Sequence, residues 1–423
     1  MTKPNLLHNI LALSGVQALG YLLPLITLPY VTRVLGVEAW GTVALVQVVL
    51  SYFLLVTNWG FNLSATRKVA AHRNDAKQLS KIFMATWFAQ WILCLMACLV
   101  LFLFVGLIPY FEKSARYYLF GCTLIFGNVL FPVWFLNGLE RMKELATLQI
   151  ATRFLAVPLT FLLIAGPTDA PLLLGISGLT GILSGAMSVL WIKKNLDLSW
   201  KMPTRAQIYA ELKEGSSVFL STIWISCYTS ITPIILGSVS GVSAVGYYAF
   251  ADRFRSLGQS LVSPISNALF PRLSHLFSQD KQAAKALLFK SSKIILLLSA
   301  SISLTLWLMT PYIVLLMGGD DFVPAIVALK WLAPLPFVIS LSNILGIQIM
   351  IPNQKTYAFN RILGFCGLFS LVMVFPLIYW GGYIGASINT LIAECLVTIL
   401  MVLYVWKSEI FMNSSLVRVK NEI

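Results

Sequence analysis

Charge is what this chain has little of. Only 11% of its 423 residues are Asp, Glu, Lys or Arg, and 58% are hydrophobic. A soluble domain carries roughly 25% charged residues, so composition alone excludes one and implies an integral membrane protein. Chemistry-bearing residues are scarce too. The three histidines (His8, His72, His275) and six cysteines (Cys94, Cys98, Cys122, Cys227, Cys366, Cys395) form no cluster at zinc spacing, and every cysteine falls inside an apolar run. No G-x-x-x-x-G-K-[ST] occurs, which removes any sequence basis for direct ATP drive. No segment between apolar runs exceeds about 25 residues, leaving no room for a soluble catalytic domain. No catalytic residue, metal or cofactor is therefore expected. Acidic residues are scarcer than basic ones, 16 against 30, for a net charge of +14. The basic residues sit in short segments between apolar runs, so this surplus reads as topology and no nucleic-acid partner is expected.

Apolar runs of about 20 residues, each enough to cross a ~30 Å hydrocarbon core, occur twelve times. They cover 10–32, 42–64, 82–108, 117–137, 148–166 and 171–192, then 215–237, 246–267, 292–315, 323–350, 362–380 and 383–406. Lys330 with Pro324, Pro334 and Pro336 interrupts the tenth. The first run lacks an A-x-A-like cleavage site and reads as a retained span. Alternate segments, from Lys3 through 65–81, 138–153 (Arg141, Lys143, Arg153), 193–214, 268–293 and 351–361 to Lys407, Arg418 and Lys420, hold 24 of the 30 Lys and Arg residues. The opposite side holds Arg33, Lys113 and Arg116. The positive-inside rule then puts both termini in the cytoplasm.

A shift of 205 residues aligns the chain with itself. Gly36-Val37-Glu38-Ala39-Trp40-Gly41-Thr42-Val43-Ala44 falls on Gly241-Val242-Ser243-Ala244-Val245-Gly246-Tyr247-Tyr248-Ala249. Ser51, Asn62, Arg67 and Asp75 fall on Ser256, Asn267, Arg272 and Asp280, giving nine identities in forty positions. The offset crosses six spans, an even number, so equivalent helices run the same way and the repeats are parallel. The expected fold is all-α: two six-helix bundles, 1–200 and 201–423, flanking a central cleft.

The eighth span contains Asp252-Arg253-Phe254-Arg255. A charge near the bilayer centre costs about 2.5–3.5 kcal/mol on insertion scales and usually faces a bundle interior or watery cavity. Arg255 lies roughly 13 Å in from Gly246 at 1.5 Å per residue. Asp252 and Arg255 can pair on one helix face, while Arg253 points about 100° away from Asp252. In the first half the same positions are Gln47, Val48 and Leu50, so the charge belongs to one half only. One reading is a pair locking the helix to its neighbours. The other is a cavity wall that grips an anion such as a diphosphate through bidentate hydrogen bonds. Candidate cavity residues are Arg255, Arg253, Asp252, Gln47 and Lys330, the last of which can also snorkel to the interface. Glu394, a lone carboxylate in the last span, joins Asp252 as a candidate for coupling transport to an ion. Pro24, Pro29 and Pro233 are positioned to bend helices, and Tyr247, Tyr248 and Trp224 could stack on sugars or anchor the interface.

Several stretches resemble one family. They are Leu28-Pro29-Tyr30-Val31-Thr32-Arg33-Val34-Leu35-Gly36, Trp59-Gly60-Phe61-Asn62-Leu63-Ser64-Ala65-Thr66-Arg67 and Trp134-Phe135-Leu136-Asn137-Gly138-Leu139-Glu140-Arg141-Met142. Ala251-Asp252-Arg253 and Leu269-Phe270-Pro271-Arg272-Leu273 complete the set. Together they are similar to O-antigen flippases of the Wzx type, in the multidrug/oligosaccharidyl-lipid/polysaccharide exporter superfamily. The chain departs at Asn58, where an acidic residue is expected, and at Arg253, where lysine is common. The resemblance implies alternating-access transfer of undecaprenyl-diphosphate-linked O-units across the bacterial inner membrane for lipopolysaccharide assembly. It implies no enzyme chemistry, and as partners the lipid-linked oligosaccharide, membrane lipid, an O-antigen polymerase and a chain-length regulator. A cation-coupled multidrug exporter of the same superfamily would need acidic cavity residues, and an integral membrane O-unit polymerase would need long outer loops.

Overall fold

Backbone inside lipid must satisfy its own hydrogen bonds, and every regular element among the described residues is a helix. The computed structural model describes residues 6–108, 112 and 114–408. Lys3, Lys113, Arg418 and Lys420 lie outside the described residues, as do the side chains of His8, Pro24, Trp224, Cys227, Asn267 and Pro271. In chain order the helices are α1 (Leu6–Asn58), α2 (Phe61–Ala71), α3 (Ala76–Leu107), α4 (Ala115–Leu130), α5 (Val133–Gly138), α6 (Met142–Leu163) and α7 (Ala170–Asn195). Then follow α8 (Arg205–Thr229), α9 (Thr232–Ser240), α10 (Val242–Gln279), α11 (Lys281–Met317), α12 (Ala325–Leu332), α13 (Leu335–Asn343), a π-helical stretch (Ile344–Met350) and α14 (Thr356–Lys407). Eight helical stretches among the described residues are long and apolar enough to cross a membrane. The chain is a multi-pass integral membrane protein. Outward stripes such as Leu95, Leu99, Phe102 and Leu103 on α3, or Leu368, Val372 and Phe375 on α14, are exposed and suit a lipid solvent.

The two longest helices are not single rods. The 53 residues of α1 would reach ~80 Å, far beyond one crossing, and the helix breaks at Gly36 (φ 70°, ψ 177°). That conformation is essentially open to glycine alone. Gly241, between α9 and α10, adopts nearly the same one (φ 84°, ψ 171°). The 52-residue α14 breaks at Gly382 (φ 52°, ψ −129°).

Gly36 and Gly241 are 205 residues apart, and two further pairs at that spacing behave alike. Asp75 accepts backbone hydrogen bonds from Lys77 and Gln78 at 3.0 and 3.1 Å, capping α3. Asp280 does the same for α11, accepting from Gln282 and Ala283 at 2.9 Å each. A Cβ on Gly41 would strike the Val242 carbonyl, and one on Gly246 would strike the Val37 carbonyl. Val37 and Val242 are themselves 205 apart, so this contact between α1 and α10 is reciprocal.

The chain packs as two compact units, Met1–Ala249 with Ile313–Val323, and Phe250–Tyr312 with Pro324–Ile423. In the first, one cluster gathers Val31, Cys94, Cys98, Cys122 and Leu174, and another gathers Phe61, Phe83, Trp134 and Phe135. The cysteines serve here as small buried hydrophobes. Gly178, Gly181 and Gly185 bring α7 against Thr123, Gly127 and Leu130 of α4, the small-residue packing that substitutes for hydrophobic drive inside lipid. Thr32 donates to the Met317 carbonyl at 2.6 Å and Arg33 to that of Leu316 at 2.7 Å, tying the end of α11 to this unit. The second unit packs around Leu273, Ile295, Met350 and Met401.

Candidate functional site

In the second unit, α10 carries the charges that the sequence singles out. Arg255 Nε donates to Asp252 Oδ1 at 2.5 Å, and its Nη2 donates to Ser256 Oγ at 3.0 Å. The i, i+3 spacing puts both partners on one face. Neither is sealed away: their side chains are 20% and 32% exposed. Arg253 is exposed. Glu394, on α14, lies within electrostatic reach of Arg255. One guanidinium therefore pairs with Asp252 and acts electrostatically on a carboxylate of another helix, a relation that spacing along the chain does not reveal. Five N–H donors in a rigid fork let Arg255 hold Asp252 and still address an incoming oxyanion.

Lys330 is exposed, with its ammonium 5.6 Å from the centre of the Trp307 ring, a cation–π arrangement. Gln47 is exposed on α1 in the first unit. Tyr248 is buried, and Tyr247 sits edge-on to Phe322 at 6.4 Å, so both have packing roles.

Two polar features escaped the sequence reading. Gln348 is fully buried in the π-helical stretch, and neither amide atom has a hydrogen-bond partner among the described residues. π-Helical turns often mark functional sites; the prolines that interrupt this run signal irregular backbone but do not single out Gln348. Arg153, counted with the inner loop 138–153, lies halfway along α6. The inner set of Lys and Arg falls from 24 to 23 and keeps its excess.

At the other end of the first unit, the chain turns sharply at Trp59 (φ 42°) and Gly60 (φ 78°). Trp59 Nε1 donates to the Leu212 carbonyl at 2.8 Å, and its ring stacks on Phe219 at 4.2 Å. Beside it, Lys68 Nζ donates to Glu211 at 2.9 Å and also pairs with Glu214, which Arg67 reaches at 3.0 Å. Partial burial pushes the Glu214 carboxyl up, but Lys68 and Arg67 outweigh it and hold it below the usual carboxylate range. A lowered folded-state value adds stability above the unfolded value near 4.5, and that stability is lost as pH falls through the folded value. Thermal unfolding in detergent should therefore show Glu214→Gln less stable than the parent at pH 7. The difference should shrink as pH drops below about 4. An equal difference at both ends would discount the pairing.

Helices long enough to span a bilayer, a glycine-broken first helix and a charged α10 define a class: polytopic membrane proteins with charged side chains inside a spanning helix. The chain belongs to the polysaccharide biosynthesis protein family, whose model matches residues 6–277. It is 34% identical over 409 residues to the "Putative O-antigen transporter" of Escherichia coli (strain K12), covering 95% of this chain and 97% of that one. Its fold is that of an inward-facing multidrug resistance MATE family transporter of the MOP superfamily (TM-score 0.75, 15% identity, 98% and 97% covered). The lipid II flippase MurJ shares it as well (TM-score 0.74, 15% identity, 93% and 87% covered).

Proposed function

We propose that this protein is an O-antigen translocase: it moves undecaprenyl-diphosphate-linked O-units from the cytoplasmic to the periplasmic leaflet of the bacterial inner membrane. The likeness of almost the whole chain to an O-antigen transporter carries this reading. The physical demand fits. A sugar diphosphate has about two negative charges and cannot cross hydrocarbon unaided. An arginine partly neutralised by Asp252, with residual exposure, lowers that barrier and still lets the cargo leave. Arg255 and Arg253 are the anion-gripping groups, and Asp252 and Glu394 the groups that could couple the cycle to an ion. No bond is made or broken, so the protein acts as a carrier and not as an enzyme. An O-antigen polymerase and a chain-length regulator are the partners proposed with this reading.

The architecture proposed with this function has twelve spans, with α1 and α14 each counting twice about Gly36 and Gly382, and both termini in the cytoplasm. Parallel repeats, 1–200 and 201–423, are supported by the three matched pairs at a spacing of 205 residues. A cation-coupled drug exporter is less favoured because α10 is net basic. The test is a proteoliposome assay with labelled lipid-linked oligosaccharide, with and without a pH gradient. Protein-dependent flipping is expected, and its absence in both conditions would refute the proposal.

A further inference from the structure

Arg153 falls eleven residues after Met142 and ten before Leu163 in α6, halfway along a helix ~33 Å long. It has no ion pair or hydrogen bond among the described residues. An unpartnered guanidinium at that depth costs about 2.5–3.5 kcal/mol and marks a polar path or a ligand. Its side chain is exposed. With residues of α1, α4 and α7 it lines a cavity of about 260 Å³ wholly inside the first unit.

The chemistry of the lining is specific. Ser177, Thr180 and Ser184 share one face of α7, and each hydroxyl donates its proton back to its own helix. What they offer the cavity is acceptor lone pairs. Asn128 donates through Nδ2 to Thr57 Oγ1 and Asn58 Oδ1, at 3.2 Å each, leaving its carbonyl oxygen as an acceptor. Arg153 and Gln149 add donors from α6. No carboxylate lines the cavity, so a bound cation is disfavoured. Acceptors on one wall and a guanidinium with an amide on the other match a polyhydroxylated ring that carries or adjoins an oxyanion. The volume lies just under the ~300 Å³ at which pockets for drug-sized ligands begin, room for one sugar ring and not for an oligosaccharide.

We infer that this cavity is a carbohydrate subsite holding one sugar ring of the cargo, with Arg153 and Gln149 donating to it. The inference rests on the translocase reading, and α10 supplies a separate anion grip. Either the diphosphate or a carboxylate on the sugar can provide the oxyanion that Arg153 meets.

Binding to the purified full chain in nanodiscs separates these cases. The probes are a short-chain polyprenyl diphosphate, the same lipid carrying one N-acetylhexosamine, and the same carrying a further uronic acid. The wild type should bind the sugar-bearing lipids more tightly than the bare diphosphate, by about tenfold, the ~1.4 kcal/mol of one or two good hydrogen bonds. Gln149→Leu should erase that increment while leaving bare-diphosphate affinity intact. Arg153→Ala should do likewise. If it also weakens the bare diphosphate, the phosphate is the oxyanion; if its largest loss is with the uronic acid, the sugar is. An undiminished increment in Gln149→Leu and Arg153→Ala would overturn the subsite. Should Arg153→Ala fail to fold, Gln149→Leu alone decides. Failure of the wild type to bind any of the three lipids would overturn the translocase reading itself, and the subsite with it.

Discussion

Arg255→Ala should abolish surface display of O-antigen while the chain still inserts in normal amount. Arg255 touches Asp252 and also acts on Glu394. Without it, Asp252 loses its salt-bridge partner and Glu394 loses a nearby positive charge. Breaking a fully buried pair costs 3–5 kcal/mol. Here the partners are 20% and 32% exposed, so solvent screening brings the stability cost well below that, and folding should survive. On the proposed reading the cargo site would not survive, because it would lose the donors assigned to the diphosphate. Arg255→Lys separates charge from shape: it restores a cation but not a planar fork. It should recover display only partly, with transport down about tenfold, the ~1.4 kcal/mol separating bidentate from single-point contact. Quantifying lipopolysaccharide ladders against membrane-inserted protein decides the matter. Unimpaired display in both Arg255→Ala and Arg253→Ala would sink the arginine site.

Much of this was legible in the residues. Apolar runs of spanning length, alternating basic loops and the Asp252-Arg253-Phe254-Arg255 run need only local patterns, and a helical i, i+3 pair is local too. The match at 205 residues led to Gly36 and Gly241 because a glycine-only conformation leaves its mark in sequence. What stayed hidden was non-local or depended on depth. Glu394 reaches Arg255 from a helix far along the chain, which no spacing rule anticipates. A Lys/Arg count places Arg153 in a loop because it reads a cation near a boundary as lying outside the span. The apolar run 148–166 also contains it, and the start of α6 at Met142 puts it at the middle of the helix. The unpaired amide of Gln348 could not be foreseen either, since orphaned atoms are defined by neighbours that the sequence does not name.

The reciprocal glycine contact gives the second large effect. Gly41→Leu or Gly246→Leu should eliminate transport, and each should also lower the melting temperature in detergent. At Gly41 the obstacle is the Val242 carbonyl, and at Gly246 it is the Val37 carbonyl, with Val37 Cγ1 at 2.9 Å from the added Cβ. Backbone cannot rotate out of the way as a side-chain tip can, so α1 and α10 must separate. Overpacking of this kind costs 1–3 kcal/mol, occasionally more. Gly36→Ala isolates conformation from packing, because nothing lies within 4 Å of its added Cβ and only the unfavourable φ of 70° opposes it. Strain of that type costs about 1–3 kcal/mol without wedging the helices apart, so Gly36→Ala should lose stability but retain measurable flipping. If the contact serves packing alone, Gly41→Leu and Gly36→Ala should lose transport in proportion to their lost stability. If α1 and α10 must meet here for the cycle to turn, Gly41→Leu will be inactive even at temperatures where it remains fully folded.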